Sequence, residues 1–154
     1  MEIRGYTPAD LEEMARLFYE TILTVNRRDY TEAQVKAWAG RRESLVQNGR
    51  RFLDSHTLVA VEGERIVGYG NMEAGGHLHH LYVHKDFQRR GVAAALCDRL
   101  EAYAFARGAG QITVDASLTA LPFFLHSGYA VIREQHPRLD GIRLLNYRME
   151  KSRG

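Results

Sequence analysis

Apolar residues recur at helical spacing at Leu11, Met14, Phe18, Ile22 and Val25, so one face of this stretch belongs to a core. Thr7-Pro8-Ala9-Asp10 opens that helix. Thr7 caps it, proline suits the first helical position, and Asp10 stands where a capping-box acid belongs. Ile3-Arg4-Gly5-Tyr6 ahead of it reads as a short strand. Asn26 to Tyr30 breaks the pattern. Thr31 with Gln34 then resembles a second capping box and predicts a helix to Trp38 or Ala39, ended by Gly40. Arg41 to Phe52 is charged and reads as helical.

The pattern then changes to that of strands. Thr57–Val61, a turn at Glu62-Gly63-Glu64-Arg65 and Ile66–Met72 form a hairpin. Gly68 and Gly70 share one face of its second strand, as a closely packed neighbour or a bulge would require. After Ala74-Gly75-Gly76, His77–Val83 is a third strand. A polar loop leads to a long helix with Val92, Leu96, Leu100 and Tyr103 on one side, ended at Arg107-Gly108-Ala109-Gly110. Gln111–Ala116 is a further strand, and the strand–helix–strand unit implies a parallel pair with a right-handed crossover. Thr119–His126 is a short helix with Pro122 in its first turn. Tyr129–Arg133 and Ile142–Met149 are the last strands, joined by a loop containing Pro137 and Asp140-Gly141. The order β-α-α-β-β-β-α-β-α-β-β predicts an α+β fold on a mixed, mainly antiparallel sheet.

The loop before the long helix, Gln88-Arg89-Arg90-Gly91-Val92-Ala93, holds the strongest chemical signal. A basic, glycine-containing loop at a helix start offers free backbone N–H groups and a favourable dipole to a phosphate. A side chain at Gly91 would keep the backbone away from such a ligand. On spacing alone, a solvated basic loop fits equally well. The G-x-x-x-x-G-K-[ST] motif is absent, and Gly68-Tyr69-Gly70 lacks the third glycine of a dinucleotide fingerprint.

Gln88–Ala93 resembles the Q/R-x-x-G-x-G/A signature of the GCN5-related N-acetyltransferase (GNAT) family. Leu81-Tyr82-Val83 before it and Phe123–Tyr129 after it sit where that family has its other markers. The order of elements agrees over nearly the whole chain, and Asp29-Tyr30-Thr31 with Gln34 and Ala37-Trp38 resembles a bacterial subgroup. The resemblance implies a sheet with helices on both faces and two parallel strands, His77–Val83 and Gln111–Ala116, that splay apart around the pantetheine arm of acetyl-CoA. It implies backbone bonds from that arm to Leu81, Tyr82 and Val83. It also implies a pyrophosphate site built from Gln88, Arg89, Arg90, Gly91, Val92, Ala93 and Ala94, with Ala93 where glycine is commoner.

The same resemblance assigns chemistry. An amine must lose a proton before it attacks a thioester, because an alkyl ammonium has a pKa near 10.4. Asp115 stands about where several relatives carry a catalytic glutamate, and His80 lies near the end of the first splayed strand; each is a candidate base. Each has a plain structural alternative, a helix-start bond for Asp115 and ordinary packing for His80. The family's usual tyrosine acid is replaced by Phe124, which would then be a wall beside the thioester. Tyr82, Tyr147 or water are the remaining proton sources. Tyr30 and Trp38 border the acceptor pocket by resemblance, with Tyr147 as a further acceptor contact; packing of the helical pair is their alternative.

Bulk properties narrow the partners. A chain of 154 residues is expected to form one domain. A net charge of +2 is too small to claim nucleic acid. No apolar run suits a membrane helix, and the N-terminus lacks a secretory pattern, so a cytoplasmic location is expected. The single cysteine, Cys97, fits a reducing compartment and reads as a core thiol. Strand alternation sends His77 and His79 to one face and His80 and His84 to the other; two imidazoles fall short of a zinc site, and no metal is expected. The reading is an acetyl-CoA-dependent N-acetyltransferase acting on a small-molecule amine, with a homodimer as an open arrangement. Its alternatives are a protein N-terminal or lysine acetyltransferase and an acetyl-CoA-binding module without transfer activity.

Overall fold

The computed structural model describes residues 1–154. It opens with β1 (Glu2–Gly5), a 3-10 turn at Pro8–Asp10 and α1 (Leu11–Thr24). A second 3-10 turn at Asn26–Arg28 leads into α2 (Glu32–Ala39), α3 (Arg42–Gln47) and α4 (Arg50–Asp54). Then come β2 (His56–Glu62), β3 (Arg65–Glu73), β4 (His77–Val83), α5 (Val92–Ala106), β5 (Gln111–Ser117) and α6 (Leu121–His126). The chain ends with β6 (Ala130–Gln135), β7 (Arg138–Leu139), β8 (Ile142–Arg143) and β9 (Asn146–Ser152).

Seven strands form one sheet in the order β1-β2-β3-β4-β5-β9-β6, antiparallel except for the β4–β5 pair. Each face carries its own core. Leu96 and Leu100 of α5 pack on Leu78, Ile112 and Met149; on the other face Met14, Phe18 and Ile22 of α1 pack on Val59 and Tyr69. The two glycines of β3 set the α5 distance. A Cβ on Gly68 would stand 2.7 Å from Val92 Cγ1, and one on Gly70 would stand 2.9 Å from Leu100 Cδ1. Of the two sequence expectations, a closely packed neighbour or a bulge, these positions provide the first. No helix is long and apolar enough to cross a membrane.

The helix starts follow the caps. Asp10 Oδ2 accepts the Thr7 N–H at 2.9 Å, and both Asp10 oxygens accept the Arg4 guanidinium at 2.9 Å. Thr31 and Gln34 bond reciprocally at 3.2 and 2.9 Å.

Other segments depart from the sequence reading. The charged 41–52 segment, read as helical, divides into two short helices, with Gly49 between them pressed against α1: a Cβ there would meet Leu11 Cδ2 at 2.5 Å. The strand expected over Ile142–Met149 is interrupted at Leu144-Leu145. Gln34 Nε2 donates to the Arg143 carbonyl at 2.9 Å and the Tyr30 hydroxyl to the Leu145 carbonyl at 2.6 Å, so side chains of the helical layer take acceptors a neighbouring strand would use. Asp140 and Gly141, at φ 51° and 81°, make the two-residue turn of a small β7–β8 hairpin. Helix α6 begins at Leu121 instead of Thr119, because Ser117 Oγ accepts the Ala120 N–H at 3.0 Å and Thr119 Oγ1 donates to Asp29 at 2.8 Å.

Candidate active site

Strands β4 and β5 pair only at His77↔Thr113 and Leu78↔Val114. Beyond that point β4 stays with β3 and β5 follows β9, so the strands part as a V. His84 N–H donates to Val67 O on the β3 side at 2.8 Å. Alternation along β4 then turns the N–H groups of Leu81 and Val83 toward the V. An edge of this kind accepts an extended amide chain as an added strand would be accepted, which suits the pantetheine arm.

The loop after β4 is a backbone cradle. Arg89 and Gly91 both have positive φ, 62° and 82°, and Gly91 is the left-handed N-cap of the 15-residue helix α5. Successive N–H groups in such a turn converge on one point. Ala95 N–H closes the first helical bond, to Gly91 O at 3.0 Å, so the N–H groups of Val92, Ala93 and Ala94 have no intrahelical acceptor. No side chain caps them and no acidic residue occupies the first turn. This donor set fits a pyrophosphate. Gln88 contributes differently: its Nε2 donates to Val83 O at 2.7 Å and ties the loop to β4. Arg90 lies over the Phe87 ring at 4.9 Å, and Arg89 is exposed beside it. A Cβ on Gly91 would meet nothing within 4 Å, so the backbone conformation is what demands glycine there.

On the α1 side of the sheet, the histidines are arranged differently from the simple alternation. Asn71 pairs with His80 and Met72 with Leu78, which leaves His79 as an unpaired bulge residue. Leu78 and Leu81 consequently face α5, while His79 and His80 line one cleft with their rings 4.6 Å apart. His77 lies 6.2 Å from the His79 ring. The expected split of these histidines between faces is thus corrected by one extra residue. Asn71 Oδ1 accepts the His80 N–H at 3.0 Å and holds the bulge in place. No group of three His, Cys, Asp or Glu side chains is placed to hold a metal.

The cleft has a volume of about 370 Å³. Phe18, Trp38, Leu45, Phe52 and Leu139 supply apolar wall; Arg41, Arg51, Ser44 and Asn48 supply polar groups. Trp38 stands edge-on to Tyr30 at 5.3 Å. Tyr30 itself is buried, and its hydroxyl also accepts the Leu118 N–H at 2.9 Å, so it braces the loops behind Trp38. Tyr147 is half-buried on β9 opposite Ala116, outside this lining. Phe124 is only 3% exposed, in the α5 core between Phe123 and Tyr129.

Burial governs the titrating groups. His80 is pushed down to about 3 by burial, reinforced by His79 and Arg51, so its imidazole is neutral at physiological pH. Tyr69 is fully buried and its hydroxyl bonds Nδ1 of His80 at 3.1 Å, the hydroxyl's one partner. A buried hydroxyl with one acceptor available donates to it. That assigns the His80 proton to Nε2, which has no protein partner and is not enclosed. His79 is lowered by burial and by Arg51, whose Nη1 donates to His79 Nε2 at 2.7 Å. Burial raises Tyr82 well above its ordinary value. Asp115 Oδ1 accepts Arg148 Nε at 2.7 Å and Gln135 Nε2 at 2.9 Å, Oδ2 accepts Arg148 Nη2 at 3.2 Å, and His77 Nε2 lies 3.8 Å away.

The model of the acetyltransferase (GNAT) domain matches residues 26–151. The chain belongs to the GNAT acetyltransferase family. It is an N-acetyltransferase that uses acetyl-CoA. It is 29% identical over 149 residues to the uncharacterized N-acetyltransferase YafP of Escherichia coli, covering 97% of this chain and 94% of that one. It superposes with a TM-score of 0.94 and 35% identity on a GCN5-related N-acetyltransferase from Rhodopseudomonas palustris, covering 98% and 94% of the two chains. A PaiA N-acetyltransferase from Thermoplasma acidophilum, solved with coenzyme A, shares the fold at a TM-score of 0.76 and 18% identity over 98% of both chains.

Several cleft residues escaped sequence reasoning. Arg41 and Arg51 lie ten positions apart in a charged segment that reads as helical; it divides into α3 and α4 around Gly49, and both arginines line the cleft. Gly49 was the available signal. Phe18 is indistinguishable from its core neighbours along α1, and Leu139 reaches the cleft only through the β7–β8 hairpin.

Proposed function

We propose that this acetyltransferase acts on the amine of a small molecule held in the cleft between the β4 bulge and helices α2 to α4. The observation that carries the reading is the size and mixed apolar and polar lining of that cleft. A volume of about 370 Å³ lies within the range of small-molecule sites. Trp38 and Leu139 are among its lining residues, and Arg41 bridges to Asp140 of the β7–β8 turn at 3.7 Å.

Acetyl-CoA supplies an acyl group on a thiol leaving group, open to attack by a neutral amine. The chain's part is to hold it by the Arg89–Ala94 cradle and the Leu81–Val83 edge, and to present the acceptor. His80 contributes as a hydrogen-bond donor through Nε2 where the cleft meets the V. Its lone pair is engaged by Tyr69, and that of His79 by Arg51. Asp115 contributes by positioning, since Arg148 and Gln135 engage its oxygens. The acceptor's proton therefore leaves to water in the cleft. Phe124 keeps the α5 core closed beneath the V, and Tyr147 flanks β5 beyond Asp115.

The test is acceptor-dependent release of the CoA thiol across amines and N-terminal peptides. Turnover of small amines with little turnover of peptides supports the reading. Preference for peptides would replace it with a protein acetyltransferase, and tight acetyl-CoA binding without any acceptor turnover would favour a binding module.

A further inference from the structure

The charge of the cleft is one-sided. Arg41 and Arg51 line it and no aspartate or glutamate does. Arg51 makes no ion pair within 4.0 Å; its one side-chain partner is the neutral ring of His79, bonded through Nη1. Four of its five N–H donors remain for something else. Nε of Arg41 is buried without any hydrogen-bond partner, and its Nη2 reaches only the exposed Asp140, at 3.7 Å. A buried guanidinium nitrogen left unpaired costs free energy unless a ligand satisfies it. Arg51 is exposed and also lines a neighbouring hollow with two acids, Glu73 and Asp54; neither pairs with it within 4.0 Å, and Glu73 lies 3.6 Å from His79 Nδ1. Phe18, Trp38, Leu45 and Phe52 line the same cleft.

We infer that the acceptor carries a carboxylate beside its amine and an apolar or aromatic body: an apolar amino acid or a close analogue. The inference rests on the small-molecule reading above. Guanidinium groups pair bidentately with carboxylates, and the aromatic wall takes the body. The same field repels a second cationic group, so diamines and basic peptides are poor acceptors.

The test is a matched set with one body: phenylalanine, its primary amide, phenethylamine, and a diamine of similar length, each assayed with saturating acetyl-CoA for kcat/KM expressed on the concentration of free amine, so that differences in amine basicity cancel. Phenylalanine is expected to exceed its amide roughly ten- to hundredfold, the range of a charged hydrogen-bonded contact. Arg51→Gln is expected to collapse that ratio toward one, chiefly through KM, while the affinity for acetyl-CoA stays unchanged. Equal or faster turnover of the amide or phenethylamine would overturn the carboxylate inference and leave the small-molecule reading standing. Peptides turned over in preference to all four, or no turnover of any acceptor, would overturn both. A ratio that survives in Arg51→Gln and in Arg41→Gln would also overturn the assignment to these cations.

Discussion

The Tyr69 hydroxyl lies 3.1 Å from Nδ1 of His80, and this contact fixes what the imidazole offers to the cleft. Because His80 is pushed down to about 3, the folded protein keeps it neutral while the unfolded chain protonates it near 6.5. Its contribution to stability is complete above pH 6.5 and is lost as pH falls from 6.5 toward 3. By pH 5 the loss is about 2 kcal/mol. Denaturant unfolding at pH 7 and pH 5 is expected to show this difference, and His80→Gln should remove most of it. A wild-type difference that persists unchanged in His80→Gln would contradict the assignment. His79, also lowered, contributes in the same direction.

The catalytic pH profile follows from the same contacts. With the lone pairs of His79 and His80 both engaged, kcat/KM is expected to rise about tenfold per pH unit below the pKa of the acceptor amine, with no break near 6.5. Two acceptors of different amine pKa should give displaced profiles. A shared inflection near neutral pH for both would identify a protein base instead.

Much of this scaffold is legible in the chain because local chemistry and burial agree. The Thr7/Asp10 and Thr31/Gln34 boxes mark helix starts, Gly68 and Gly70 announce the approach of α5, and the strand before Gln88–Ala93 feeds the cradle. The acceptor side is less legible. A single unpaired residue at His79 reverses the facing of everything before it on β4, and nothing in the His77-Leu78-His79-His80 pattern distinguishes a bulge from alternation. Arg41 and Arg51 converge only through tertiary packing of short helices. The interruption at Leu144-Leu145 depends on bonds from Tyr30 and Gln34, more than a hundred residues away in sequence.

The β3 glycines give a stability prediction. Gly70→Ala places a methyl group 2.9 Å from Leu100 Cδ1 and 3.0 Å from the His80 carbonyl oxygen, where the backbone side has little room to yield. The expected cost is about 1–3 kcal/mol, measured by chemical denaturation. Gly5→Ala, with nothing within 4 Å of its Cβ, should be close to neutral.

A buried charge cluster gives another. Glu101 accepts Lys151 Nζ at 2.9 Å and the Tyr129 hydroxyl at 2.7 Å, while Cys97 Sγ donates to it at 3.3 Å. Burial beside this carboxylate drives the Cys97 thiol strongly upward, so it should resist alkylation in the folded protein. Lys151→Met leaves the carboxylate without its cation and is expected to cost about 2–3 kcal/mol, moderated by the partial exposure of Lys151. Glu101→Gln in the same background should recover part of the loss.

The most direct test of the account is a calorimetric titration with acetyl-CoA of the wild-type protein and of Gly91→Glu. A Cβ at this position meets nothing within 4 Å, yet glutamate brings a negative charge to the cradle of Arg89 to Ala94 and must adopt an unfavourable φ of 82°. Micromolar binding by the wild type, weakened at least roughly tenfold in Gly91→Glu, is the predicted result. Equal affinities in two folded proteins would contradict the placement of the pyrophosphate on this loop.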